Sequence, residues 1–145
     1  MKKSLFTIML LGSLTAVAQT KDDGQELIKT FFDLYKTKGY EAAVRYSWST
    51  NKWIPTAPEE MNNIILALGK EVDQMGDFIG QEELKSKKVG SRFRIVSYLV
   101  YYQRDPIRFT FELYKNNTGW EISDFVFDTQ FEEEIEISIK LTDSN

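Results

Sequence analysis

From Leu27 onward the apolar residues follow two rhythms, helical first and alternating afterwards. Leu27, Ile28, Phe31, Leu34 and Tyr35 recur at spacings of three and four, which places them on one face of a helix. Asp22 or Asp23 can cap it by accepting from the free N–H groups of the first turn, and Gly39 can adopt the left-handed conformation that stops it. A second, shorter helix is predicted from Tyr40 to about Trp48, burying Ala43, Val44 and Trp48. After a loop anchored by Trp53, Thr56 and Glu59 match a capping box, with Pro58 in the first turn where its missing N–H costs nothing. The third helix then presents Met61, Ile64, Ile65, Leu68, Val72 and Met75, and Gly76 ends it. Gly69 lies inside this helix and lowers its propensity by about 1 kcal/mol relative to alanine. The residue implies either a tolerated weakness or a neighbour packed close.

Beyond Asp77 the period becomes two. A weak first strand is predicted from Phe78 to about Lys88, with Gly80 as a candidate bulge. The second, about 92 to 103, is apolar on both faces. Phe93, Ile95, Leu99 and Tyr101 are taken as its inner set and Val96, Tyr98, Val100 and Tyr102 as its outer set, so it should be a central strand. The third strand alternates cleanly, with Ile107, Phe109, Phe111 and Leu113 inward and Arg108, Thr110 and Glu112 outward. Asn116-Asn117-Thr118-Gly119 forms the next turn. In the fourth strand Trp120 and Ile122 have the opposite parity to Phe125 and Phe127, and a bulge near Ser123-Asp124 would bring all four to one side and bend the sheet. Ile135, Ile137, Ile139 and Leu141 alternate with polar residues, as in an edge strand or a flexible tail.

Half of the aromatic residues fall between Ser91 and Phe127, which marks the core. The first residues belong elsewhere. Lys2 and Lys3 precede the apolar run LFTIMLLGSLTAVA, and Ala16-Val17-Ala18 places small residues where a signal peptidase cuts. The expectation is a signal peptide over residues 1–18, one domain over 19–130, a terminal segment over 131–145, and an exported protein, periplasmic or secreted. The leader is shorter than the roughly 20 apolar residues of a membrane span, and no second such run follows, so no span is expected after cleavage. Its removal takes two of the 18 basic residues and none of the 22 acidic ones, so the remainder is more acidic than the whole chain at −4. Such a surface repels phosphate backbones, and the basic clusters around Lys85 to Lys88 and Arg92 to Arg94 are short, so nucleic acid is not an expected partner. Those lysines read as a solvated hairpin end. The chain has no cysteine and no histidine, which removes disulfides, Ser-His and Cys-His nucleophiles and the usual zinc sites.

Three helices followed by a meander of about four strands with a bent last hairpin resembles the NTF2-like, cone-shaped α+β superfamily. The resemblance rests on the helix at 25–37 with Gly39-Tyr40, on Met75-Gly76-Asp77-Phe78, and on the segments VSYLVYY, FTFELYK, GWEI and SDFVF. It is closest to the small exported domains of unknown function in that superfamily. The fold class it implies is α+β, three N-terminal helices packed on a curved antiparallel sheet. It also implies three functional readings. In an enzyme reading, Asp124 or Asp128 would work beside Tyr35, Tyr40, Tyr98 or Tyr102 as a cofactor-free isomerase or dehydratase. In a binding reading, Tyr35, Phe93, Tyr101, Phe109, Phe111, Trp120 and Phe125 would line a cone pocket for an apolar small ligand. In an interface reading, Val96, Tyr98, Val100 and Tyr102 would form an outer sheet face that pairs two copies, unless residues 131–141 fold over it. The favoured expectation is a non-enzymatic binding or interaction module with neither metal nor organic cofactor.

Overall fold

The computed structural model describes residues 23–54 and 58–142. The leader at 1–18 and Thr56 of the expected capping box lie outside these. The order is α1 (Gln25–Lys38), α2 (Tyr40–Ser49), α3 (Pro58–Met75), β1 (Phe78–Val89), β2 (Phe93–Tyr102), β3 (Ile107–Lys115), β4 (Trp120–Asp128) and α4 (Glu132–Thr142). The strands form one curved, unclosed antiparallel sheet in the order β1-β2-β3-β4, and the class is α+β. No helix among the described residues is long and apolar enough to cross a membrane.

The helices form where the period of three and four places apolar side chains together. Gly39 and Gly76 end α1 and α3 with φ of 88° and 81°, a backbone region that other residues enter only with strain. The cap of α1 differs from expectation. Gly24 holds that position, while the Asp23 carboxylate accepts a hydrogen bond from the Gln25 N–H at 3.3 Å.

Helix α1 lays Ile28, Phe31, Phe32 and Tyr35 on the inner face of the sheet. The Phe31 ring sits 4.9 Å from Phe111 and 5.2 Å from Phe125, centroid to centroid. Ala43 and Val44 of α2 and Ile65, Leu68 and Val72 of α3 complete the core, where each buried ring or large aliphatic side chain contributes about 1.5–3 kcal/mol. In β4, Asp124 pairs with Glu112 while Ile122 pairs with Leu113, so Ser123 is the extra residue of a bulge. Trp120, Ile122, Phe125 and Phe127 thereby reach one side, as their parity required.

Two expectations are corrected. Val96 lies opposite Phe111, Tyr98 opposite Phe109 and Val100 opposite Ile107, and residues paired across strands share a face. The even-numbered residues of β2 therefore join the core, Tyr98 and Tyr102 being only 6% and 5% exposed, and Phe93, Ile95, Leu99 and Tyr101 face outward. A strand apolar on both faces does not announce which is inside. The register across the 103–106 connection decides it. The second correction concerns the C-terminal segment, whose residues Glu132–Thr142 form a helix rather than an edge strand. Glu132, Glu133 and Glu134 fill its first turn, where negative charge complements the helix dipole. Arg108 on the outer sheet face bonds both Asp128 (2.9 and 3.1 Å) and Glu134 (2.8 Å), fixing that turn beside the sheet, and Phe131 is buried next to it.

Candidate functional site

The residues expected to line a cone pocket divide among three places. Tyr35, Phe109, Phe111 and Phe125 are buried in the core, with Phe109 and Phe111 in ring contact with Phe31 and Phe32. Trp120 is half-buried at the edge of that core against Gly24. Phe93 and Tyr101 stand on the opposite face of the sheet. The rings thus fill the space between α1 and the sheet by edge and tilted contacts, an arrangement worth about 0.5–1.5 kcal/mol per pair beyond area burial. Among the described residues no group of three or more His, Cys, Asp or Glu side chains is placed to hold a metal ion.

The carboxylates and phenols of the enzyme reading also separate. The Tyr35 and Tyr102 hydroxyls are hydrogen-bonded to each other at 2.5 Å, on the floor of an open depression of about 390 Å³ that Tyr40, Asp73, Asp77 and Phe78 rim. Burial pushes the Tyr35 phenol up to about 12, and burial together with the neighbouring Tyr35 raises Tyr102 further, so both stay protonated at neutral pH. Asp128 faces outward in its ion pair with Arg108. Asp124 lines a different cleft of about 220 Å³ at the β4 bulge, walled by Trp48, Ile54 and Glu60. Neither aspartate lines the depression of the tyrosine pair. Tyr98 is engaged elsewhere again, accepting from the Gln25 side-chain amide at 2.7 Å.

Sequence reasoning missed Arg94. Counted only as part of a short basic cluster, it is in fact 4% exposed, on the core side of β2. Its guanidinium donates to Gln25 Oε1 at 2.8 Å and to Glu83 Oε2 at 3.3 Å and lies 3.5 Å from the Asp23 carboxylate, which also accepts from Lys88 Nζ at 2.8 Å. Two cations and two carboxylates from α1's approach, β1 and β2 close on one another, so the cluster holds the start of the domain to the sheet. Alternation in β2 was the available signal, since an inward Val96 and Tyr98 require an inward Arg94.

The apolar surface left to water lies on the outer side. Phe93, Ile95, Leu99 and Tyr101 are half-buried there, and Val126 of β4 is 48% exposed. Helix α4 crosses part of this side, leaving a groove of about 250 Å³ between Phe131, Glu134 and Ile135 above and Leu84, Ser97 and Arg108 below. The face of Val96, Tyr98, Val100 and Tyr102, over which segment 131–141 is the alternative cover in the sequence reading, lies instead in the core, and α4 flanks the opposite face. Comparison of the chain with protein-family models finds no match. Comparison with curated proteins finds none. Comparison with solved structures likewise finds none.

Proposed function

We propose that the chain is an exported, non-enzymatic interaction module of NTF2-like architecture, working through the outer face of its sheet without metal or organic cofactor. The observation that carries this reading is the asymmetry of β2. Its inner residues meet a packed core, while Phe93, Ile95, Leu99 and Tyr101 form a half-covered apolar row on the other side. Apolar rows of this kind, rimmed by charge, are characteristic of contact surfaces. The filled interior favours contact over small-molecule capture, because a ligand there would have to displace rings such as Phe109 and Phe111 from one another. The charged leader and small-residue cleavage site at Ala16 to Ala18 support export.

Native mass spectrometry of the protein purified from the compartment that holds it tests the reading. A stoichiometric protein partner that is lost from an Ile95→Glu/Leu99→Glu variant is the expected result. A stoichiometric small molecule retained by both forms would overturn it.

A further inference from the structure

Strand β1 is longer than the core requires. It runs for 12 residues, and every side chain from Gln81 to Val89 is exposed, whereas strands commonly need only about 5–6 residues. It is also an edge, since among the described residues the sheet order gives it β2 on one side and no strand on the other. An exposed edge offers a row of unpaired N–H and C=O groups to another strand.

Natural edges are guarded by charge and by bulges, and β1 has both, with a register shift between Glu83 and Lys85 that leaves Leu84 as the extra residue. Its charges are, however, segregated by sign along the strand. Glu82 and Glu83 occupy the first half, and Lys85, Lys87 and Lys88 the second. Charge guards an edge when pairing sets like against like, and an antiparallel copy of this strand sets unlike against unlike.

We propose that β1 pairs antiparallel with β1 of a second copy about a two-fold axis at Lys85, joining the two four-stranded sheets into one continuous sheet. Counting along the ladder from β2, with the bulge included, Glu82 then lies opposite Lys87 of the second copy and Lys87 opposite its Glu82. Both positions belong to the outer face of the sheet, as cross-strand partners must. Gln81 falls opposite Lys88 and Glu83 opposite Ser86. Lys85 meets its own copy at the axis, one repulsion against two attractions, in exposed long side chains free to splay. Glu83 and Lys88 keep their bonds to Arg94 and Asp23, because those bonds run inward and the pairing uses the free backbone edge. The exposed apolar side chains of Ile79, Leu84 and Val89 gain cover at the seam. The two outer faces end up on the same side of the joined sheet, so a dimer of this kind presents the apolar row of β2 twice. The pairing stands independently of what binds that row.

Sedimentation equilibrium with charge-reversal variants tests it. The wild-type protein should form a dimer, and Glu82→Lys and Lys87→Glu should each weaken it roughly tenfold or more by turning two attractions into repulsions. Mixing the two variants should restore dimers made of one copy of each, because both 82–87 pairs are then of opposite charge. Restoration on mixing also shows that both variants are folded. A wild-type protein that stays monomeric at high concentration overturns the proposal. So does a dimer that survives both reversals but is broken by Ile95→Glu/Leu99→Glu, which places the contact on the outer face, or a β1 edge engaged only by a different protein.

Discussion

Asp23 stands where the start of α1 meets the sheet, and its carboxylate is balanced between opposing influences. Burial alone would raise its pKa, but the hydrogen bond from Lys88, the charge of Arg94 and the Gln25 N–H together hold it below its ordinary value. A carboxylate whose folded pKa is depressed contributes stability that is present above its unfolded pKa of about 3.9 and is lost as pH falls through the folded value. Asp23→Asn should therefore be less stable than wild type at neutral pH. The gap should close on acidification below about pH 4, as urea unfolding across a pH series would measure. Beyond the parity that Arg94 shares with Val96 and Tyr98, this cluster is not legible in the sequence, because Lys88 is 65 residues from Asp23 and Arg94 sits among charges that look solvated. What buries Arg94 is strand register, and register belongs to pairs of strands rather than to a residue.

At the scale of elements, what the sequence made plain is what a rigid period makes plain. The three helices repeat apolar residues at three and four, and their glycine stops fall at Gly39 and Gly76. The β4 bulge was legible because two apolar pairs of opposite parity cannot both face inward without an extra residue between them. β2 carried no such constraint, being apolar at both parities, and α4 shows alternation overruled by a glutamate-rich first turn and the grip of Arg108. Gly69 offers a measurable case. A Cβ there would lie 2.6 Å from the Tyr40 phenol oxygen, so the close-packing explanation of this glycine is the right one. Gly69→Ala should destabilise the protein despite the roughly 1 kcal/mol of helix propensity it gains. In a Tyr40→Phe background, where that oxygen is absent, the same substitution should cost less or become stabilising. A double-mutant cycle by chemical denaturation reads the difference.

For the whole molecule, the sheet divides the protein into a packed side and a half-covered outer side. Lacking disulfides, the fold is held by the ring cluster around Phe31, and a core at interior packing density has little room to host a ligand without rearranging. The functional proposal therefore depends on which side of β2 faces water. Two single-cysteine variants of this cysteine-free chain, Ile95→Cys and Val96→Cys, test that most directly by their reaction with a thiol reagent under native conditions. Cys at position 95 should label readily and Cys at position 96 only as fast as the protein unfolds. Rapid labelling at 96 with protection at 95 would contradict the account.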